Sequence, residues 1–196
     1  MHPNTGLQWN DRAAMLDFVQ REGFATISLP APGVLHVPLV IGSTAIQFHV
    51  ARRNRMAEQI EGRRIIASVI GRHAYHSASW YVSADMVPTW HYEAVEIEGV
   101  VRRQDRNELL GQLGTMAAVM EPRYAPNAEW SLAMVSEAKI EALLNGIIGF
   151  EMTIEDVRGT RKFNQTKKGA DFDASVEGQR QAGREDIVAA MLEAKG

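Results

Sequence analysis

The chain has 196 residues, 45% of them hydrophobic and 23% charged, with a formal charge of −3 and a pI near 6.1. That length can bury one sizeable core, and the mild acidity argues against a strongly electrostatic grip on nucleic acid. Cysteine is absent, which excludes disulfides, thiolate metal sites and a cysteine nucleophile. The opening residues MHPNTGLQWNDR lack the basic start and apolar run of a secretory signal, and no apolar run is long enough to cross a bilayer, so the sequence reads as a soluble cytoplasmic protein.

Asn10 is placed to cap a helix with Asp11 in its first turn, and Ala14, Met15, Phe18 and Val19 recur at helical spacing until Gly23 stops it. Three short strands follow, Phe24 to Leu29, Val34 to Leu39 and Ala45 to Val50, divided by turns at Pro30–Gly33 and Gly42–Thr44. Arg52 begins a predicted short helix that ends near Gly62. Arg64 to Ile70 reads as a strand buried on both faces, with Ala74 to His76 extending it after a break at Gly71. Ser83 to Pro88 is a loop. Tyr92 to Val101 alternates as a strand whose Glu93, Glu96 and Glu98 form a solvated acidic face. Asp105 caps a second helix with an apolar stripe from Leu109 to Met120, ended by Glu121-Pro122. A third helix follows Ser136 and closes at Asn145-Gly146. Ile147 to Ile154 is a further strand. Thr160 to Lys168 is basic, Asp171 to Gly183 is polar and expected to be poorly ordered, and Glu185 to Lys195 is a terminal helix. Five or six antiparallel strands with helices outside define an α+β fold built on a small barrel.

The densest chemistry lies between His73 and Tyr92, where HAYHSASWYVSADMVPTWHY holds two Trp, three Tyr and three His. Such a stretch offers an apolar wall beside hydrogen-bonding groups, which suits a planar polar ligand. Equally, its aromatics can fill a barrel core. Arg52, Arg53 and Arg55 stand at a strand-to-helix junction, where a helix N-terminus and planar guanidinium forks would suit a phosphate; a solvated basic turn reads the same way. His73 and His76, three apart on a strand, point to opposite faces. No spacing of metal ligands, nucleophile elbow, P-loop or dinucleotide fingerprint occurs, so no metal site is expected and no catalytic residue can be named. The helices at Asp105–Met120 and Ser136–Leu144 are too far apart for a helix-turn-helix, which leaves direct DNA binding uncertain.

Taken together, HAYHSASWY, VPTWHY, GVV and IIGFEMTIEDVRGTRKFNQ, with FATIS, LHVPLVI and FHVARRNR upstream, resemble the PaiB-type FMN-binding family of negative transcriptional regulators. The resemblance covers Trp9 to Lys168. It departs from the family pattern at Arg72 for Pro, Ala78 for Pro, His91 for Asn, and Phe163-Asn164 for Leu-Ser. It implies an antiparallel split β-barrel, similar to the pyridoxine-phosphate-oxidase-like flavoproteins, with peripheral helices. Residues 1–170 would form the FMN-binding domain and residues 171–196 a polar segment and short helix.

The resemblance further implies a homodimer with FMN at the subunit interface, acting as a flavin-binding regulator and binding no membrane. Arg52 and Asn54 would meet the phosphate, and Lys162 and Gln165 would close over the phosphate or ribityl chain. Ser77, Ser79 and Trp80 would border the ring or ribityl hydroxyls, and Thr89 and Trp90 would reach the isoalloxazine. His49 would either line the pocket or stay in the core. The alternatives are a flavin-dependent oxidoreductase of NAD(P)H or F420 type and, last, a haem-binding split barrel using His73, His76 or His91.

Overall fold

A computed structural model describes residues 3–29 and 33–196. Most of the predicted turn at Pro30–Gly33 lies outside the described residues. In chain order the elements are β1 (Gln8–Trp9), α1 (Arg12–Glu22), β2 (Phe24–Leu29), β3 (Gly33–Ile41), β4 (Ala45–Ala51), β5 (Arg64–His76), β6 (Thr89–Arg103), α2 (Arg106–Tyr124), α3 (Glu137–Gly146), β7 (Ile147–Thr153), β8 (Asp156–Lys162), α4 (Ala170–Gln181) and α5 (Glu185–Lys195). They form two compact units. One comprises residues 16–68 and 97–157, the other residues 1–15, 69–96 and 158–196. Strands β5 and β6 give a segment to each, and α1 spans the division.

The first unit is a barrel. Its strands run β6-β5-β2-β3-β4-β7, and β7 returns to pair with β6, so the sheet closes on itself and leaves no edge. The expected α+β split barrel with peripheral helices is therefore the fold. The closure is antiparallel: β2 pairs with β3 from Phe24↔Pro38 to Leu29↔Gly33, β4 with β7 from Ala45↔Thr153 to Ala51↔Ile147, and β6 with β7 at Val101↔Met152. Alternating residues fill the interior, among them Ile27, Leu39, Ile46, Phe48, Ile97, Phe150 and Met152, each buried to 1% exposure or less. Phe48 and Phe150, directly paired on the neighbouring strands β4 and β7, stack at 5.6 Å between centroids. Gly23, with φ of +63°, ends α1 as expected. Asp11 caps that helix instead of Asn10, its Oδ1 accepting the Ala14 N–H. Asp105 caps α2 in a full capping box with Glu108. Pro122 lies inside α2, which runs on to Tyr124, past the stop expected at Glu121-Pro122.

Several expectations fail here for reasons of geometry. β5 has no break at Gly71, and it is not buried on both faces: Ile65, Ala67 and Val69 point in while Ile70 is exposed. Arg52 does not start an α-helix. The segment after β4 is a series of turns with a single 3-10 turn at Ala57–Gln59, so no helix N-terminus is presented to a phosphate there. The Asn54 side chain accepts the Met56 N–H and stabilises that turn.

The second unit holds the strand order β1-β8-β6-β5, with α4 and α5 laid against it. Its core gathers Ala74, Phe163, Phe172, Val176, Ile187, Val188, Ala190 and Met191. The segment 171–183, expected to be poorly ordered, is helix α4: Phe172 and Val176, four apart, supply the apolar stripe that polar neighbours disguise in the sequence. The basic segment likewise begins in a strand, β8, which pairs with β1 at Gln8↔Thr160 and Trp9↔Gly159. These two strands take the count from the expected five or six to eight.

Barrel closure rests on one close approach. At Gly99 of β6 an added Cβ would lie within bonding distance of the Thr153 carbonyl oxygen and 2.9 Å from its carbon. Backbone cannot yield as a side chain would, so Gly99→Ala should cost about 3 kcal/mol or more of stability. Urea denaturation compares the variant with the parent.

Candidate functional site

The second unit's sheet has two unlike faces, and their assignment follows from one carboxylate. Glu93 is fully buried, contrary to the solvated acidic face expected of this strand. Arg72 of β5 grips it through Nε at 2.7 Å and Nη2 at 3.3 Å, and Arg161 of β8 approaches at 3.4 Å. Arg72 also reaches Glu193 of α5 at 2.7 Å, and the Arg161 guanidinium lies 3.5 Å over the Trp9 ring. Burying a carboxylate costs desolvation energy that this pairing offsets.

His76 and His91 share that inner face. Their rings stack at 4.5 Å, both fully buried, with Trp80, Tyr81 and Phe163 against them. His76 Nε2 lies 3.3 Å from the Asn164 amide, which also donates to Tyr81 Oη and Ser175 Oγ. Asn164 has φ of +59°, a left-handed conformation that Asn tolerates better than most residues. Among the described residues, neither ring nitrogen of His91 has a hydrogen-bond partner. Burial pushes His76 down to about 4, and burial, reinforced by the neighbouring His76, pushes His91 down to about 3.

The opposite face is open. Because side chains alternate, His73 and Tyr75 of β5, Trp90 and Tyr92 of β6, and Lys162 of β8 all point away from Glu93 and Arg161. Trp90 is 49% exposed and Tyr75 52%. Trp90 stacks on His73 at 6.2 Å and meets Tyr75 edge-on at 6.1 Å. Beyond Tyr75 the strand ends at Ser77, whose hydroxyl caps a 3-10 turn by accepting the Ser79 N–H and lies 2.8 Å from the Ser79 hydroxyl.

Of the residues singled out in the sequence, Ser77, Ser79, Trp90 and Lys162 belong to this face or its rim; Thr89, two residues before His91, takes the parity of the inner face and does not. Trp80 does not: its ring turns inward, edge-on to His76 at 5.0 Å and against Gly178 of α4. Gln165 is occupied, its Oε1 accepting the Phe163 N–H and its Nε2 donating to the Arg161 and Gly6 carbonyls. Arg52 and Asn54 lie in the barrel unit, where Arg52 donates to the carbonyls of Asn145 and Ile147. His49, also there, is half-buried: its Nδ1 is 3.3 Å from the Gln112 amide, and burial lowers its pKa. Tyr75 and Glu93 were missed. The spacing His73, Tyr75, Ser77 was the available signal for the first; for Glu93 it was parity, since period-two alternation sets it with Val95, Ile97 and Val101 and sets Glu96 and Glu98 on the other face.

The closed antiparallel barrel of the first unit is a split barrel. A family model described as "Putative FMN-binding domain" matches residues 1–156, and the chain belongs to that family. Its cofactor is FMN. The protein is 29% identical over 164 residues to "Protease synthase and sporulation protein PAI 2" of Bacillus subtilis (strain 168), covering 80% of this chain and 78% of that one. Among solved structures it resembles the FAD and haem binding protein from Mycobacterium smegmatis, with TM-score 0.61, 11% identity and coverage of 79% and 73%. It also resembles the flavocytochrome Anf3 from Azotobacter vinelandii, with TM-score 0.62, 11% identity and coverage of 83% and 72%. The open face fits a flavin, since the half-exposed indole and its flanking rings offer a flat wall and the serine pair offers hydroxyls within one strand's reach.

The buried histidine pair predicts acid sensitivity. Both folded-state values lie below the ordinary 6.5, so below pH 6.5 the unfolded chain binds protons that the folded chain refuses. Stability should therefore be level above pH 6.5 and fall as pH drops toward 4, by about 2 kcal/mol per histidine at pH 5. Urea midpoints at pH 7 and pH 5 read this, and His91→Asn should reduce the loss.

Proposed function

We propose that FMN docks with its isoalloxazine against Trp90, flanked by His73 and Tyr75, on the open face of the second unit. Ser77 and Ser79 would hydrogen-bond the ring edge or ribityl hydroxyls, and Lys162 would supply positive charge for the anionic end of the cofactor. The observation that carries this is the pair of half-exposed aromatics, Trp90 and Tyr75, on a face whose reverse is fully packed. When bound, the flavin supplies the electron chemistry. The protein's part is to hold and orient the ring and exclude water from one side.

The aromatic face also suits a second copy of the chain, which would cover the other side of the ring in a two-fold dimer. On this reading the protein is a negative transcriptional regulator whose state follows flavin occupancy or redox state, in line with the PaiB-type resemblance. Its action would pass through a partner, because α3 carries Glu137, Lys139 and Glu141 and makes a poor DNA reader. A second reading, a flavin-dependent oxidoreductase, is favoured by the exposed His73 imidazole stacked on Trp90, where a proton-handling group would sit. A haem reading has less support, because His76 and His91 are sealed in the core and only His73 is open.

Native mass spectrometry of the protein with FMN should show a dimer holding two flavins. Trp90→Ala should weaken FMN binding about tenfold or more, read by flavin fluorescence, given that stacking contributes about 1–3 kcal/mol. Unchanged affinity in that variant would remove Trp90 from the site. Oxidation of NADH or NADPH with added FMN, lost in His73→Ala, would decide for the enzyme reading.

A further inference from the structure

In the second unit β5 stands last in the strand order, and the outer edge of its final residues meets side chains instead of a strand. Carbonyls alternate along a strand, so those of His73 and Tyr75 leave by the same edge, about 7 Å apart. The turn between α4 and α5 aims one donor at each. Gln179 Nε2 donates to the Tyr75 carbonyl at 3.0 Å, and Arg184 Nη2 donates to the His73 carbonyl at 3.0 Å. Gly183, with φ of +72°, ends α4 between them, and the Arg184 N–H donates to the Gln179 carbonyl at 3.0 Å. The two donors are therefore one built unit.

Both donors are fixed from behind. Gln179 is 1% exposed, inside the packing of α4. Asp186 holds the Arg184 guanidinium through Nε at 2.9 Å and Nη2 at 2.8 Å. At the far end of α4, Asp171 accepts the Val82 and Ser83 N–H groups at 3.0 and 2.9 Å. The carbonyls so held belong to the two residues whose rings flank Trp90 on the open face. An uncovered strand edge is where a sheet opens first, and half-exposed rings do little to hold it closed. The spacing of the rings beside Trp90 is thus set from the edge of the sheet, by side chains that touch neither its open face nor a ligand on it.

We propose that α4 and α5 set the affinity of the flavin face, with Gln179 and Arg184 as its positioning residues. While they hold the β5 edge, the His73 and Tyr75 rings stand ready beside Trp90; when the helix pair releases, the rings lose that arrangement. The proposal rests on the flavin reading and adds its regulation: docking of the helix pair and binding of FMN are linked. Linkage is reciprocal, so the factor by which release weakens FMN binding is the factor by which bound FMN opposes release.

FMN titrations of the full chain, read by flavin fluorescence, test this, with thermal melts to establish that each variant is folded. Arg184→Met and Gln179→Met should each weaken FMN about fivefold. Arg184→Lys should recover most of the loss, because an ammonium can still donate to the His73 carbonyl. Arg180→Gln, at a surface side chain paired with Glu177, should match the parent. At saturating FMN the visible circular dichroism of the flavin should differ from the parent in the two Met variants, a change that lost stability alone does not produce. Hydrogen exchange needs no variant: the α5 amides of the parent should exchange about fivefold more slowly once FMN is saturating. Parent-like affinity in Trp90→Ala would remove the flavin reading and this proposal with it. Weakened binding in Trp90→Ala, with parent-like affinity and dichroism in Arg184→Met or α5 exchange indifferent to FMN, would overturn this proposal alone.

Discussion

The burial of Glu93 between Arg72 and Arg161 decides which way every side chain of the second unit's sheet points. In a strand the period is two, so a slip of one residue would exchange the two faces completely. A buried carboxylate with two guanidinium partners cannot tolerate that exchange, because the slip would leave charges in an apolar core. The pairing therefore places His76, His91 and Phe163 inward. It places His73, Tyr75 and Trp90 outward by the same act. The exposed aromatic face is the far side of a sheet whose near side is locked.

That lock also explains why the inner face can hold two neutral histidines. Helices α4 and α5 cover it with Phe172, Val176, Ile187 and Met191, and Asn164 gives His76 a partner. The helix N-terminus adds a further tie: Asp171 in the first turn of α4 accepts the Val82 and Ser83 N–H groups and the Ser83 hydroxyl, which holds the segment that leads from Ser79 toward Thr89. These bonds from Ser83 and Val82 keep the Asp171 carboxyl below its ordinary value. Packing on one face and loop anchoring at its end thus prepare the other face without contributing to it.

Much of this was legible beforehand. Alternation located the barrel strands, Gly23 and Asp105 marked helix boundaries, and the aromatic stretch from His73 to Tyr92 pointed to the open face. Three things were hidden, each for a physical reason. Glu93 alternates in phase with Val95 and Ile97, but its partners, Arg72 and Arg161, are 21 and 68 residues away, and periodicity carries no information about the distant counter-charges that let a carboxylate occupy that face. Helix α4 looked disordered because its apolar stripe is narrow and set among Asp, Ser, Glu, Gln and Arg. Trp80 looked like its neighbour in kind, Trp90, yet a 3-10 turn rotates it onto Gly178 and away from the face.

The claim that the outward indole is the flavin wall is most directly read from the four tryptophan indole N–H resonances, with Trp90 assigned by Trp90→Phe, as FMN is added to the protein. The account predicts that Trp90 shifts by ring-current effects while Trp9 and Trp80, both turned into packed surroundings, hold their positions. A Trp90 resonance that stays fixed while FMN binds would contradict it.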